Sequence, residues 1–271
     1  MKTSLSYQSY LKSPYRSVKH TTYFDVYDDL FAQYRDKEIT FVEIGVLGGG
    51  SLFMWRDFFG PKARIIGIDF NPNAKKWEEE GFEIFIGSQS DESFWNKFVE
   101  ENGSVDVVLD DGGHTYEQQI VTSERLLRNI NDGGMLVVED THTSYMGGYG
   151  PRKFSFIEYT KLMMDKINYR FGGLENTNAE SRVWSLRVYE SFVAFIINSN
   201  ATELKSEFTD NNGADDQAAD YRHHESKSIS AIQSLSRRFN DMKHIPGLKW
   251  MKGCLVSFLA NRKFTAKRFF R

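Results

Sequence analysis

Between residues 23 and 140 two hydrophobic rhythms alternate. Short aliphatic and β-branched runs, "ITFVEIGV" (39–46), "ARIIGIDF" (63–70), "VDVVLDD" (105–111) and "GMLVVED" (134–140), have the length and composition of strands. The stretches "YFDVYDDLFAQYR" (23–35), "SLFMWRDFF" (51–59), "DESFWNKFVEEN" (91–102) and "TYEQQIVTSERLLRNI" (115–130) place apolar residues at helical spacing. Ser51 and Asp91 stand where helix N-caps are expected. This alternation predicts an α/β fold, a doubly wound and mostly parallel sheet with right-handed crossovers, preceded by an N-terminal helical layer. After Pro151 the pattern predicts a helix over 155–167 and two strands over 181–190 and 191–199, the second an antiparallel partner of the first. Residues 200–227 are polar and without periodicity, and read as a linker or disordered loop. A helical rhythm returns in the last segment, divided at Pro246 and Gly247. The expected organisation is therefore an α/β domain with its helical extension over 1–199, a linker over 200–228 and an amphipathic helical tail over 229–271.

A chain of 271 residues, 40% hydrophobic, can bury one substantial core with appendages. It has no run of about 18 apolar residues, and its first residues lack the apolar centre of a signal peptide, so a cytoplasmic location is expected. Cys254 is the only cysteine, which excludes an internal disulfide and any cysteine-built metal centre, and it reads as a small apolar residue. The net charge of -3 hides an asymmetry. From Ile229 onward ten Lys or Arg face one acid, Asp241, giving the tail +9 and leaving -12 for residues 1–228. The tail interleaves its basic residues with Trp250, Leu255, Phe258, Leu259, Phe264, Phe269 and Phe270. That composition suits an anionic membrane surface, which would make the protein peripheral on the inner face of the membrane. It equally suits docking on the acidic body or on a second subunit of a homo-oligomer. An acidic body without an RNA-binding motif argues against a nucleic-acid partner.

Chemistry enters at the strand ends. "VVLDDGGHTYEQQ" (107–119) and "MLVVEDTHTSY" (135–145) both pass from a buried strand into acids, bringing Asp110, Asp111, Glu139 and Asp140 to the edge where open α/β sheets bind ligands. Clustered carboxylates repel unless a cation neutralises them, and a hard divalent ion such as Mg²⁺ is the simplest neutraliser. Acids at strand ends also cap helices, and Asp110 is assigned no chemical role. The glycine turn "EIGVLGGGS" closes the first strand but fails the GxGxxG spacing, because Leu47 or Phe53 falls where glycine is required; no Lys-Ser or Lys-Thr follows to make a phosphate-binding loop.

What does fit is Glu43-x-Gly45-x-x-x-Gly49 followed by Asp69 at the end of the next strand. This resembles the first two motifs of class I S-adenosylmethionine-dependent methyltransferases. The resemblance implies that Glu43, Gly45 and Gly49 form the turn against the methionine part of the cofactor and that Asp69 accepts hydrogen bonds from its ribose. It also implies that Ser88 and Gln89, in "GSQSD", lie at its adenine. Glycine suits close approach because it lacks Cβ, and a carboxylate can accept two hydroxyl donors at once.

"VVLDDGGH" with "LVVEDTHTSYMGGYG" looks like the metal-dependent sugar O-methyltransferases of the macrocin and mycinamicin type, whose strand ends read D-D-G-S-H and E-D-L. The likeness runs from about Lys19 to Pro151, with Gly113 in place of serine and Thr141 in place of leucine; neither departure removes a ligand. It implies S-adenosylmethionine and Mg²⁺ as cofactors, Asp111, Glu139 and Asp140 as metal ligands, His114 as general base and a sugar or glycan as acceptor. The acceptor hydroxyl would give its proton to His114 and attack the sulfonium methyl in line. Beyond Pro151 the resemblance fades. A phenolic or other small acceptor, or a non-catalytic glycan-assembly partner attached to membrane, remain alternatives. His142 reads as a substrate contact or a structural histidine, and Tyr145, Met146 and Tyr149 as a wall over an acceptor sugar or as cover for the core. His223 and His224 fall in the polar linker.

Overall fold

The computed structural model describes residues 4–168, 182–204, 206–214, 221, 226–240, 248–263, 267 and 269. Two helices come first, α1 (Leu5–Lys12) and α2 (Tyr23–Phe31). Tyr23, Phe24, Tyr27, Leu30 and Phe31 make α2 apolar on its buried side. The helix expected to reach residue 35 ends at Phe31 and tightens into a 3-10 turn over Ala32–Tyr34. Strands and helices then alternate: β1 (Thr40–Ile44), α3 (Gly50–Phe59), β2 (Arg64–Asp69), β3 (Glu83–Ile86), α4 (Glu92–Asn102), β4 (Val105–Asp110), α5 (Tyr116–Leu126), β5 (Ile130–Val138) and α6 (Phe156–Asn168). The sequence pattern predicts this alternation apart from β3, and the helix expected over 115–130 stops at Leu126, with Ile130 opening β5 instead. The hairpin β6 (Val183–Tyr189) and β7 (Phe192–Ile197) follows, and α7 (Ser199–Glu203) comes after it.

The sheet order is β3-β2-β1-β4-β5-β7-β6. The first five strands run parallel, and β7 pairs antiparallel with both β5 and β6. This is the doubly wound, Rossmann-like sheet expected from the alternation. The winding reverses between β1 and β4, which opens a crevice at their carboxyl ends. In register, Ile44 pairs with Asp110 and Asp110 with Val138, so the first acids of both strand ends leave the sheet at one level.

Both faces of the sheet are covered, which explains why its strands read as continuous apolar runs. Phe41, Val107, Leu109, Met135 and Val137 pack with Tyr27, Phe31, Trp55 and Phe59 on one side. Val42, Ile44, Val108, Leu136 and Val138 pack with Trp95, Phe98, Leu126 and Phe156 on the other. Burial stabilises by roughly 1.5–3 kcal/mol per large side chain, so the strand ends are held by a rigid layer on each face.

Asp91 caps α4 as expected, accepting from Ser93 N at 2.8 Å. Ser51 does not cap α3. Gly49 takes the cap position with φ +78°, and Ser51 lies inside the first turn with its hydroxyl turned to Glu43. The polar stretch 200–227 is also not wholly irregular at its start, because Asn198 caps the short helix α7 through Ala201 N.

The chain divides into two compact units, Met1–Glu207 and Phe208–Arg271. In the second, α8 (Lys227–Asn240) and α9 (Leu248–Lys263) are in contact with each other. Trp250, Leu255, Phe258 and Phe269 are exposed, and so is the free thiol of Cys254. Pro246, Gly247, Phe264, Phe270, His223, His224 and the Leu259 side chain lie outside the described residues. Among the described residues no helix is long and apolar enough to cross a membrane.

Candidate functional site

The glycine turn between β1 and α3 is fastened by Asp69. Its Oδ2 accepts from Val46 N and Leu47 N, both at 2.9 Å, and its Oδ1 accepts from Asn71 N at 2.8 Å. A carboxylate offers about four lone-pair positions, so Asp69 keeps acceptor capacity for one further donor rather than for a full pair. Gly45 has φ +94°, and a Cβ there would strike the backbone of Asp111, 2.8 Å from its carbonyl carbon. Gly49 turns against the Trp77 ring, which a Cβ would overlap. The glycines therefore first serve close approach of the protein to itself.

Two residues expected at the cofactor are closed off. Glu43 is fully buried, with Oε2 accepting from Ser51 Oγ at 2.8 Å and Oε1 from Trp55 Nε1 at 2.9 Å. Burial pushes its carboxyl up to about 7, against the pull of Lys19 and Trp55. Gln89 is buried as a bracket: Nε2 donates to Asp110 Oδ1 at 2.9 Å and to Thr122 Oγ1 at 3.2 Å, and Oε1 accepts from Gly113 N at 2.8 Å. Both side chains are thus engaged in hydrogen bonds within the protein. Ser88 is half-buried, its Oγ accepting from Ser90 N at 3.3 Å.

Past β4 and β5 the carboxylates separate by environment. Asp110 turns inward and accepts from Gln89 Nε2 and Gly112 N, and burial raises its carboxyl to about 6. Asp111, Glu139 and Asp140 converge. Lys19 donates to Asp111 Oδ2 and to Glu139 Oε1, the latter at 3.0 Å; Tyr27 OH donates to Glu139 Oε2 at 2.7 Å and Tyr23 OH to Asp140 Oδ1. Burial, then Asp111 beside it, lifts the Glu139 carboxyl above the ordinary range.

His114 Nε2 lies 3.5 Å from Asp140 Oδ2 and 4.0 Å from Asp111 Oδ1. One donor atom each from Asp111, His114 and Asp140 falls within 4.8 Å of the others. Two carboxylates with an imidazole nitrogen at this spacing could hold a divalent cation, Glu139 stands outside this group, and the buried His114 Nδ1 has no hydrogen-bond partner among the described residues. His114 and Asp140 adopt left-handed backbone, φ +57° and +55°. Such conformations cost energy in non-glycine residues and persist where the surroundings hold them. Here Thr143 Oγ1 lies 3.3 Å from the His114 carbonyl oxygen and 2.9 Å from that of Asp140, and the capping box of Thr115 and Gln118 starts α5 directly after His114.

Beside Asp140 opens a cavity of about 590 Å³ lined by His20, Tyr23, His142, Tyr145, Tyr189 and Ser191, among others. His142 Nδ1 is 2.9 Å from Ser191 Oγ and 3.7 Å from Asp140 Oδ1. Tyr145 and Met146 line the same cavity and are exposed. Tyr149 is not among its lining residues; its carbonyl accepts from Tyr116 N at 3.0 Å. The sequence reading missed Lys19, Tyr23 and Tyr27. The two tyrosines carry a usable signal, being four apart on the buried face of α2 with hydroxyls that need acceptors.

A family profile described as a methyltransferase domain matches residues 42–141. The 8-demethyl-8-(2-methoxy-alpha-L-rhamnosyl)-tetracenomycin-C 3'-O-methyltransferase of Streptomyces olivaceus is 36% identical over 157 residues, 53% of this chain and 40% of that one. The demethylmacrocin O-methyltransferase of Streptomyces fradiae is 30% identical over 187 residues, 63% of this chain and 47% of that one. The chain thus spans less than half the length of these relatives. Among solved structures, the mycinamycin-pathway methyltransferase MycE, in complex with Mg, S-adenosylhomocysteine (SAH) and mycinamycin VI, superposes with a TM-score of 0.63 at 27% identity, covering 72% of this chain and 53% of that one.

Proposed function

We propose that this is a Mg²⁺-dependent enzyme that uses S-adenosylmethionine to methylate a sugar hydroxyl, a reading supported by the methyltransferase-domain profile over residues 42–141 and by the similarity to sugar O-methyltransferases of the macrocin and mycinamicin type. The acceptor is a glycosylated natural product or a surface polysaccharide. The observation that carries this reading is the convergence of Asp111 and Asp140 with His114 at the carboxyl edge of the sheet, with Glu139 joined to Asp111 through Lys19, beside the turn fastened by Asp69.

Asp111, Glu139 and Asp140 would hold the Mg²⁺, which supplies Lewis-acid polarisation of the acceptor hydroxyl. His114 Nε2, which lies 3.5 Å from Asp140 Oδ2, takes the hydroxyl proton. Gly45, Gly49, Asp69 and Ser88 form the surface for the methyl donor, with Glu43 and Gln89 fixing that surface from behind. His142 and Tyr145 orient the acceptor in the adjoining cavity. Positioning of this kind can remove roughly 7 kcal/mol or more of a bimolecular barrier. The catalytic part is residues 1–199. The tail, 229–271, with its charge of +9 and exposed Trp250 and Phe258, serves an anionic membrane surface, which places the enzyme where lipid-linked glycans are built. Incubation with methyl-labelled S-adenosylmethionine, Mg²⁺ and a panel of deoxysugar glycosides, free sugars and phenols tests the assignment. Label on a sugar oxygen supports it. Label on phenols alone would keep the methyltransferase and reject the acceptor class.

A further inference from the structure

The β6–β7 hairpin turns on two residues, Glu190 and Ser191, because Tyr189 pairs with Phe192. Ser191 takes φ +66°, a left-handed conformation that glycine adopts without strain and serine does not. Its carbonyl accepts from Thr141 N at 3.1 Å, which ties the turn to the segment leaving β5. Strained residues of this kind cluster at ligand sites, and Ser191 lines the cavity beside Asp140 together with Tyr23 and His142.

The polar atoms at this end of the cavity form a chain whose protons can be counted. Tyr23 OH donates to Asp140 Oδ1, since an ionised carboxylate only accepts. The Ser191 hydroxyl is the other partner of the Tyr23 oxygen, and with the tyrosine proton already given to Asp140 it must be the donor. A serine hydroxyl has one proton, so toward His142 Nδ1, 2.9 Å away, Ser191 Oγ can only accept. A neutral His142 therefore carries its proton on Nδ1 and leaves Nε2 bare. Ser191 is the only hydrogen-bond partner of the ring among the described residues, and the His142 side chain is 35% exposed where it lines the cavity. Asp140 Oδ2, the oxygen nearest His114, takes no part in the chain.

We propose that Ser191 is a positioning residue that fixes the Nδ1–H tautomer of His142 and thereby makes Nε2 an acceptor for a second, unmethylated hydroxyl of the sugar. The proposal rests on the sugar-methyltransferase reading given above and adds a requirement to it. Beside the hydroxyl that gives its proton to His114, the acceptor must carry a free hydroxyl, and the same sugar already blocked at that oxygen is refused. With the opposite tautomer Nε2–H would donate, and an ether oxygen would serve it as well as a hydroxyl.

Nitrogen-15 spectra of the full chain labelled at histidine, with the His142 signals assigned by their loss in His142→Gln, read the tautomer without any acceptor. The wild type should show a protonated Nδ1 and a bare Nε2 at His142; a proton on Nε2 would overturn the proposal with no variant needed. Ser191→Gly removes the hydroxyl while relaxing the turn, so it should melt about as high as wild type yet lose the Nδ1–H tautomer. An unchanged tautomer in that variant would also overturn the proposal. Kinetics then use whichever sugar glycoside of the panel above accepts methyl, with each of its other hydroxyls capped in turn as a methyl ether. Capping one of them should raise KM by about tenfold or more in wild type, the scale of one ordinary hydrogen bond, and by much less in Ser191→Gly. If caps at every position leave KM unchanged, the hydroxyl requirement is rejected while the methyltransferase reading stands. If no glycoside of the panel accepts methyl, the sugar reading fails and the requirement fails with it.

Discussion

Replacing Gly45 by alanine should damage the fold and the metal site together. Its φ of +94° lies in the left-handed half of conformational space, where an added Cβ costs roughly 1–2 kcal/mol. That Cβ would also strike the Asp111 backbone, 2.8 Å from the carbonyl carbon, and overpacking against atoms that cannot rotate away adds roughly 1–3 kcal/mol. The expected loss is about 2–5 kcal/mol, a drop in thermal midpoint of roughly 4–20 °C for a unit of this size. Because the atom that must yield belongs to Asp111, Mg²⁺ affinity should fall as well. Gly103→Ala is the control: its φ is +67°, but a Cβ meets nothing within 4 Å, so it should show the backbone cost alone and leave Mg²⁺ binding intact. Chemical denaturation with calorimetry on both variants decides the matter. A Gly45→Ala protein as stable as wild type, or one that binds Mg²⁺ as the Gly103 variant does, would refute the reasoning.

Further outcomes follow from other parts of the structure. Glu43 is raised from its ordinary 4.5 to about 7, so the folded state retains a proton that the unfolded chain releases; stability of the metal-free protein should fall as pH climbs from about 4.5 to 7, and Glu43→Gln should flatten that decline in denaturation curves. Asp69→Ala removes the acceptor of three backbone N–H groups and should weaken S-adenosylmethionine binding at least about tenfold by calorimetry, a loss in line with charged hydrogen bonds. His114→Ala should lose turnover by roughly 10²–10⁴ while keeping donor affinity, and undiminished turnover would require another base. The full chain should sediment with anionic vesicles at low salt and lose that affinity as salt screens its charges, each Lys or Arg contributing about 1 kcal/mol. A chain ending at Lys227 should stay in solution, and equal sedimentation of both would remove the membrane role from the tail.

The sheet was legible because its strands are buried on both faces and their aliphatic runs stand out between amphipathic helices. The hairpin of β6 and β7 followed from the same cue. The acids could be assigned to one edge for a related reason: Asp111, Glu139 and Asp140 directly follow strands whose direction is fixed by parallel crossovers. What the sequence hid is which partner each polar group finds. Glu43 and Gln89 sit in positions that suggest ligand contact, yet Ser51, Trp55, Asp110 and Gly113 take up their side chains. Lys19 precedes Asp111 by 92 positions and lies in an irregular segment, where neither period nor capping chemistry reports on tertiary contacts. Left-handed backbone at His114 and Asp140 is likewise imposed by Thr143 and the start of α5, not by any local preference strong enough to read.

The central claim is methyl transfer to a sugar oxygen at a metal site made by Asp111, Glu139 and Asp140. It is tested most directly by measuring S-adenosylhomocysteine release on a sugar-bearing acceptor, with chelator and after return of Mg²⁺, in wild type and Asp111→Ala. The account predicts release that chelation abolishes and Mg²⁺ restores in the wild type, with no restoration in the variant. Full release in the presence of chelator, or a variant as active as wild type, would contradict it.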